Sequence, residues 1–517
     1  MNYKFLTVLS AIILLNCTAD KKNTIDSTYY TEKFRPQFHF TPEHNWMNDP
    51  NGMVYYEGEY HLFYQHYPDG NVWGPMHWGH AVSKDLIHWQ HLPIALFPDS
   101  LGMIFSGSAV VDTENTSGLG SKENPAMVAI FTQHLMKDEK AGRHDFQNQS
   151  IAFSLDKGRT WKKYENNPVL KNPGKHDFRD PKVFWHESSK QWIMILAVQD
   201  HVELYGSPNL KSWKLLSEFG YKFGYHGGVW ECPDLFELPI ANTDNKKWVM
   251  LVSINPGAVN GGSGTQYFIG DFDGKKFTPD SKESQWIDYG KDNYAGVTWN
   301  NVPASDGRRL FLGWMSNWQY ATVVPTTIWR SAMTLPRTLE LIETDSGQRI
   351  ASSPVKETTA LRKDTASYTA LLSAGEQQSR EIILDSKEFE IDLPIDLEKG
   401  NESFSIELMN DNAEQLIIGF DGDANQFYID RTKAGGQEFS KDFGGKHLGK
   451  RSFSNKNIRL KLFIDDSSVE LFTDSGSLVM SELFFPEQPF TKLKLRSSKG
   501  VTANQMTLYS LKSIWRN

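Results

Sequence analysis

Cysteine is nearly absent from this chain, with two in 517 residues, Cys17 and Cys232. Cys232 alone cannot build a thiolate metal centre, and the histidines show no metal-ligand spacing, so neither a metal nor a cofactor is expected. Runs of basic charge are lacking as well: Lys and Arg total 54 against 63 Asp and Glu, a formal charge of −9. That balance argues against nucleic acid or another polyanion as partner. Amphipathic helical periodicity is scarce, which excludes an ordinary helical bundle. Long apolar runs are missing except at the N-terminus. What the chain has in quantity is tryptophan, 16 residues, within an aromatic content of 13%. Together with a mean hydropathy of −0.49, this fits neutral, hydroxyl-rich ligands held on ring faces, although Trp is also a core residue.

The single apolar run, Phe5 to Leu15 after Lys4, is too short to span a bilayer as a mature helix and reads as a signal peptide. It ends in Leu14-Leu15-Asn16-Cys17, which resembles a bacterial lipobox. Residues 1–17 are therefore expected to be a lipoprotein signal with Cys17 as the lipidation site; a plain secretory signal is the alternative. Polar residues 18–31 read as a tether, placing an exported body on the cell surface or periplasmic face of a bacterial membrane, with the lipid as its only membrane contact.

Beyond Phe38 the chain runs in short strand-like segments separated by Gly, Asn, Asp and Pro. One pattern recurs: Ser83-Lys84-Asp85-Leu86-Ile87-His88-Trp89, Ser154 to Trp161, Ser207 to Trp213, and a degenerate copy from Gly270 to Phe277. Each copy follows an apolar strand and carries Asp or Asn in a turn before an aromatic. Such repeats are the signature of four-stranded propeller blades, and Arg309 to Trp314 offers a fifth. The expected organisation is all-β: a five-bladed β-propeller over 32–345, a linker over 346–370, where Glu, Thr, Ser and Lys dominate, and a β-sandwich over 371–517. The last follows from alternating segments such as Phe404-Ser405-Ile406-Glu407-Leu408.

Three carboxylates stand in unusual settings. Asp49 lies in Trp46-Met47-Asn48-Asp49-Pro50-Asn51-Gly52, where nearby amide donors would favour an ionised carboxylate; a β-turn Asp fits the same local pattern. Asp180 follows Arg179 in Phe178-Arg179-Asp180-Pro181, so it is expected to stay charged as a hydroxyl acceptor, or to be half of a structural ion pair. Glu231, between Trp230 and Cys232, is either a carboxyl raised by an apolar setting and suited to general acid work, or an exposed strand-end residue. A nucleophilic carboxylate and a carboxylic acid about 5 to 5.5 Å apart are what retaining glycoside hydrolysis needs.

These motifs, with Phe105-Ser106-Gly107-Ser108 and Glu231-Cys232-Pro233, stand in the order that resembles glycoside hydrolase family 32, the invertases, inulinases and levanases. The resemblance runs from about Phe38 to Glu340 and resumes weakly at Asp465 to Phe472. It implies a five-bladed propeller followed by a sandwich. It also implies that Asp49 is the nucleophile, that Glu231 is the acid and base, and that Asp180 steadies the transition state. Asn48, Gln65, Trp73, Phe105, Ser106, Arg179 and Trp314 would hold the substrate. Three functions are carried forward: an exo-acting β-fructofuranosidase releasing fructose from levan or inulin with activity on sucrose, an endo-levanase, and a non-catalytic fructan-binding lipoprotein.

Overall fold

The computed structural model describes residues 29–375 and 377–516, so Cys17 and the signal and tether expected before residue 29 lie outside the described residues. Among them the only α-helix is the single turn Met136–Lys140. No described helix is long and apolar enough to cross a membrane.

Five antiparallel sheets come first. Their leading strands are Asn45–Tyr56, Met103–Asp112, Phe178–His186, Val229–Pro239 and Tyr294–Thr298. Each leading strand packs on the next, and the fifth packs on the first, which makes a closed ring around a common axis. This is the five-bladed propeller. The ring is further tied by Trp329–Arg330, which pairs in parallel with Asn45 and Trp46 and so adds a late strand to the first blade.

The recurring sequence pattern is the turn between the third and fourth strands of the first four blades. Its chemistry repeats with its sequence. Asp85 Oδ1 accepts the amides of Ile87 and His88 at 3.0 and 2.8 Å, and Asn209 Oδ1 accepts those of Lys211 and Ser212 at 3.0 Å each. Asp156 and Asp273 fill the same office through Thr160, and through Lys275 and Lys276. The Trp closing the first three turns donates its indole N–H back to the turn, as from Trp89 to the Leu86 carbonyl at 3.0 Å. An Asx side chain that replaces backbone partners explains why Asp or Asn recurs there.

Residues 362–511 form two six-stranded sheets packed face to face. Their shared core includes Ile391, Leu393, Ile406, Ile418, Leu462 and Leu495, drawn from alternate positions of facing strands. The stretch read as a linker, 346–370, is largely strand instead. Gly347–Pro354 pairs with Arg337–Thr344 in the fifth blade, and Arg362–Leu372 pairs with Val501–Leu511 in the sandwich. Only the turn Lys356–Leu361 lies between. The Ser- and Thr-rich composition there reflects exposed outer strands with a polar face.

Buried ion pairs join the two halves. Arg337 reaches Asp288 on the propeller side at 3.0 Å and Glu470 on the sandwich side at 2.5 Å. His39 bridges Asp465 at 2.7 Å and Glu470 at 2.9 Å. Asp465 to Phe472, where the family resemblance resumes, lies in a hairpin turning at Asp466-Ser467.

Candidate active site

All five leading strands break their pairing register near their start; in the fifth the break lies between Tyr294 and Val297. The other four breaks concern the carboxylates and their neighbours, and fall between Met47 and Pro50, between Ile104 and Gly107, opposite Ile195 to Ala197 at Asp180-Pro181, and between Glu231 and Asp234. The unpaired residues of these four are Asn48-Asp49, Phe105-Ser106, Asp180-Pro181 and Cys232-Pro233. A bulge re-aims side chains, and a proline, lacking an N–H, suits a place where a ladder bond is given up. Pro50, Pro181 and Pro233 thus mark the three strands that carry the carboxylates. Asp180 and Cys232 adopt positive φ, 63° and 45°, a strained backbone of the kind held at functional sites.

The result is a cavity of about 300 Å³ at one end of the propeller axis. Asn48, Asp49, Gln65, Trp73, Phe105, Ser106, Arg179, Asp180 and Glu231 all line it. Trp314 does not. It is fully buried behind the wall, with its ring centroid 5.0 Å from Trp318, which takes the lining position. His134, Glu139, Gln147 and Asp177 also line the cavity and carried no motif in the sequence. Two buried donors in this region, Gln65 Nε2 and Trp314 Nε1, have no partner among the described residues.

Asp49 accepts three hydrogen bonds, from Asn48 Nδ2 at 3.0 Å, Ser106 Oγ at 2.9 Å and Cys232 Sγ at 3.4 Å. Asn48 is itself fixed by the indole of Trp46 at 2.7 Å. Burial first, and then the charge of Glu231, push Asp49 above its ordinary value, while these three donors pull it back. Asp180 accepts the Cys232 amide at 3.0 Å, and its own amide is held by Thr132 Oγ1 at 3.0 Å.

Two expectations about electrostatics need correction. Arg179 was expected to pair with its neighbour Asp180, but its terminal nitrogens go to Asp177 and, at 3.0 Å, to Glu231. Only its Nε comes within 4.0 Å of Asp180. Burial consequently raises Asp180 to about 7, against the pull of Arg179 and with the push of Glu231 and Asp49. Glu231, in turn, is not in an apolar setting, since it accepts from Arg179 and from the hydroxyl of Tyr294. Tyr294 belongs to the fifth leading strand and had no sequence signal. Among these carboxylates it is Asp180 that burial and the charges of Glu231 and Asp49 bring to about neutrality.

Comparison with known proteins bears on what such a cluster serves. The family descriptions Glycosyl hydrolases family 32 N-terminal domain and C terminal match residues 39–354 and 357–512. The chain belongs to glycosyl hydrolase family 32. Within that family it is 47% identical to a levanase of Bacillus subtilis, over all of this chain and 76% of the levanase. It is 37% identical to an extracellular exo-inulinase of Aspergillus awamori, over 94% of this chain and 96% of the relative. The crystal structure of exo-inulinase from that organism superposes with a TM-score of 0.85 at 36% identity, covering 94% of this chain and all of the other. A beta-fructofuranosidase of Schwanniomyces occidentalis complexed with fructosyl-erythritol gives 0.84 at 35% identity, covering 94% and 99%. The propeller and sandwich of this family 32 chain are thus those of an enzyme that cleaves glycosidic bonds.

Proposed function

We propose that this protein is a retaining β-fructofuranosidase that removes terminal fructose from levan or inulin, with sucrose as a side substrate. The observation that carries the reading is the convergence of Asp49, Asp180 and Glu231 on one cavity of about 300 Å³. That volume is at the small end of the range for ligand sites, about 300 to 1,000 Å³, and suits a chain end better than a polymer threading through. The names of the relatives, levanase and exo-inulinase, support a fructan as substrate.

In this mechanism Asp49, oriented by Asn48, Ser106 and Cys232, attacks the anomeric carbon of the terminal fructosyl unit. Glu231 gives a proton to the departing oxygen and then takes one from water as the covalent intermediate is hydrolysed. Arg179 and Tyr294 both donate to Glu231 and so stabilise the carboxylate it becomes when its proton leaves. Asp180 accepts sugar hydroxyls and steadies positive charge developing on the ring. The free donor of Gln65, which lines the cavity, completes the polar surroundings of the sugar.

Early products from levan, inulin and sucrose test the reading. Fructose alone, appearing first as the β-anomer by NMR, is expected. A ladder of oligosaccharides at low conversion would favour the endo-levanase. No release from any of the three would leave the non-catalytic binder. The word extracellular in the inulinase descriptions supports export, and we place the lipid anchor on Cys17. Cys17→Ser should move the protein from the membrane to the soluble fraction; unchanged fractionation would refute the anchor.

A further inference from the structure

A second and larger cavity, about 480 Å³, opens at the other end of the same leading strands. Asp180 and Trp185 are five positions apart on Phe178–His186, about 16 Å along the strand. Glu231 and Glu237 are similarly separated on Val229–Pro239. The hydrolytic mechanism uses nothing in this far cavity.

Its walls nevertheless have the makings of a binding site. Trp185, Trp192 and Trp248 line it, and two of these indoles are locked in place. Trp185 Nε1 donates to Glu187 at 2.7 Å, Trp192 Nε1 donates to Thr116 at 2.8 Å, and the two rings meet edge to face at 5.2 Å. Ring faces fixed before a ligand arrives bind with little loss of side-chain entropy. Among them stands Arg309, its guanidinium 5.1 Å from the centroid of the Phe236 ring. The two carboxylates that act on it electrostatically, Asp234 and Glu237, are already paired with Lys182 at 3.1 Å and Lys246 at 3.0 Å. Among the described residues Arg309 has no ion-pair partner, so its donors are free for a ligand.

The lining also holds acidic groups that would repel an anion, and the unpaired guanidinium of Arg309 would repel a cation. A neutral polyhydroxylated ligand satisfies every feature. Its hydroxyls accept from Arg309 and donate to carboxylates, while its C–H faces stack on indole. We propose that this cavity is a second carbohydrate-binding site that holds a segment of the fructan chain away from the catalytic cavity. The choice of fructan as ligand rests on the substrate reading above. A second attachment raises the effective concentration of chain ends at Asp49.

Affinity electrophoresis of the full chain through gels containing levan or inulin tests this, with Asp49→Asn as background so that the gel is not digested. Retardation of that parent is expected, and Trp185→Ala or Arg309→Met should lose most of it. Arg309→Met keeps an apolar stem over Phe236, so it guards against a folding defect in the tryptophan variant. With Asp49 intact, both variants should keep wild-type turnover of sucrose while KM on polymer rises about threefold or more. Equal retardation of parent and both variants, with unchanged polymer KM, would overturn the second site. Absence of fructose release by the wild type would instead overturn the catalytic reading; Trp185-dependent retardation would still uphold the site.

Discussion

The thiol of Cys232 lies 3.4 Å from Oδ2 of Asp49. Burial and the surrounding carboxylates raise this thiol well above its ordinary value, so it stays protonated and donates. Its hydrogen bond is one of three influences that lower Asp49 against burial. Cys232→Ala removes the donor without changing the backbone strain, because Cβ remains. The acid limb of kcat/KM should move to higher pH and activity should fall several-fold, whereas Cys232→Ser, which keeps a donor, should restore much of both. An unmoved acid limb in the alanine variant would show that the thiol only fills space.

Asp180, raised to about 7, takes up its charge in the neutral range. The proposed mechanism uses Asp180 as a carboxylate, so kcat/KM should rise with pH through a limb with a midpoint near 7. Arg179 lowers Asp180, and removing its charge in Arg179→Met should shift that midpoint upward and cost about 100-fold in kcat/KM through lost positioning of Glu231. A pH profile of the variant that differs in height but not in midpoint would exclude the electrostatic role.

Gln65 is 2% exposed and its Nε2 has no partner among the described residues. A buried donor left open weakens the free protein and strengthens a complex that supplies an acceptor. Gln65→Leu should therefore lower kcat/KM about 10- to 100-fold while Tm stays level or rises. A marked fall in Tm with near-normal kinetics would assign Gln65 to the scaffold instead.

His39 is held between Asp465 and Glu470 at the junction of propeller and sandwich. Burial disfavours its charge, but the two carboxylates prevail and raise it to about 9 from 6.5. A group raised on folding stabilises the folded protein fully below its unfolded value, and that contribution is lost as pH rises through the folded value. Tm should thus decline between about pH 6.5 and 9 by an amount worth on the order of 3 kcal/mol. His39→Gln should be less stable at pH 6 and show a flatter profile; an equally steep decline in the variant would place the titration elsewhere.

How much of this was legible in the sequence varied with the range of the interaction. The outer turns of the blades were, because an Asx side chain satisfying its own loop leaves a local residue pattern, as at Asp85 and Asn209. The carboxylates stood out because each lies one or two residues before a proline, Pro50, Pro181 or Pro233, on a strand that breaks its register there. Tyr294 and Trp318 did not, since Tyr294 meets Glu231 and Trp318 meets the cavity only through ring closure. Trp314 was assigned to the wall because a sequence gives the order of aromatics along a strand and not which of two neighbours faces inward. Arg179 and Asp180 failed differently. Adjacent residues on a bulged strand diverge, so nearness in sequence did not become an ion pair. The linker failed because polar composition also describes an exposed outer strand.

The parallel pairing of Asn45 and Trp46 with Trp329 and Arg330 has a kinetic consequence. The strand bearing Asp49 is the first to be made, yet its flanking partner is translated about 280 residues later. At about 5 to 20 residues per second, that interval lasts about 15 to 60 s. Throughout it the nascent blade carries Asp49 with no finished pocket around it. Catalytic competence therefore arrives in one late step, when the end of the propeller meets its beginning.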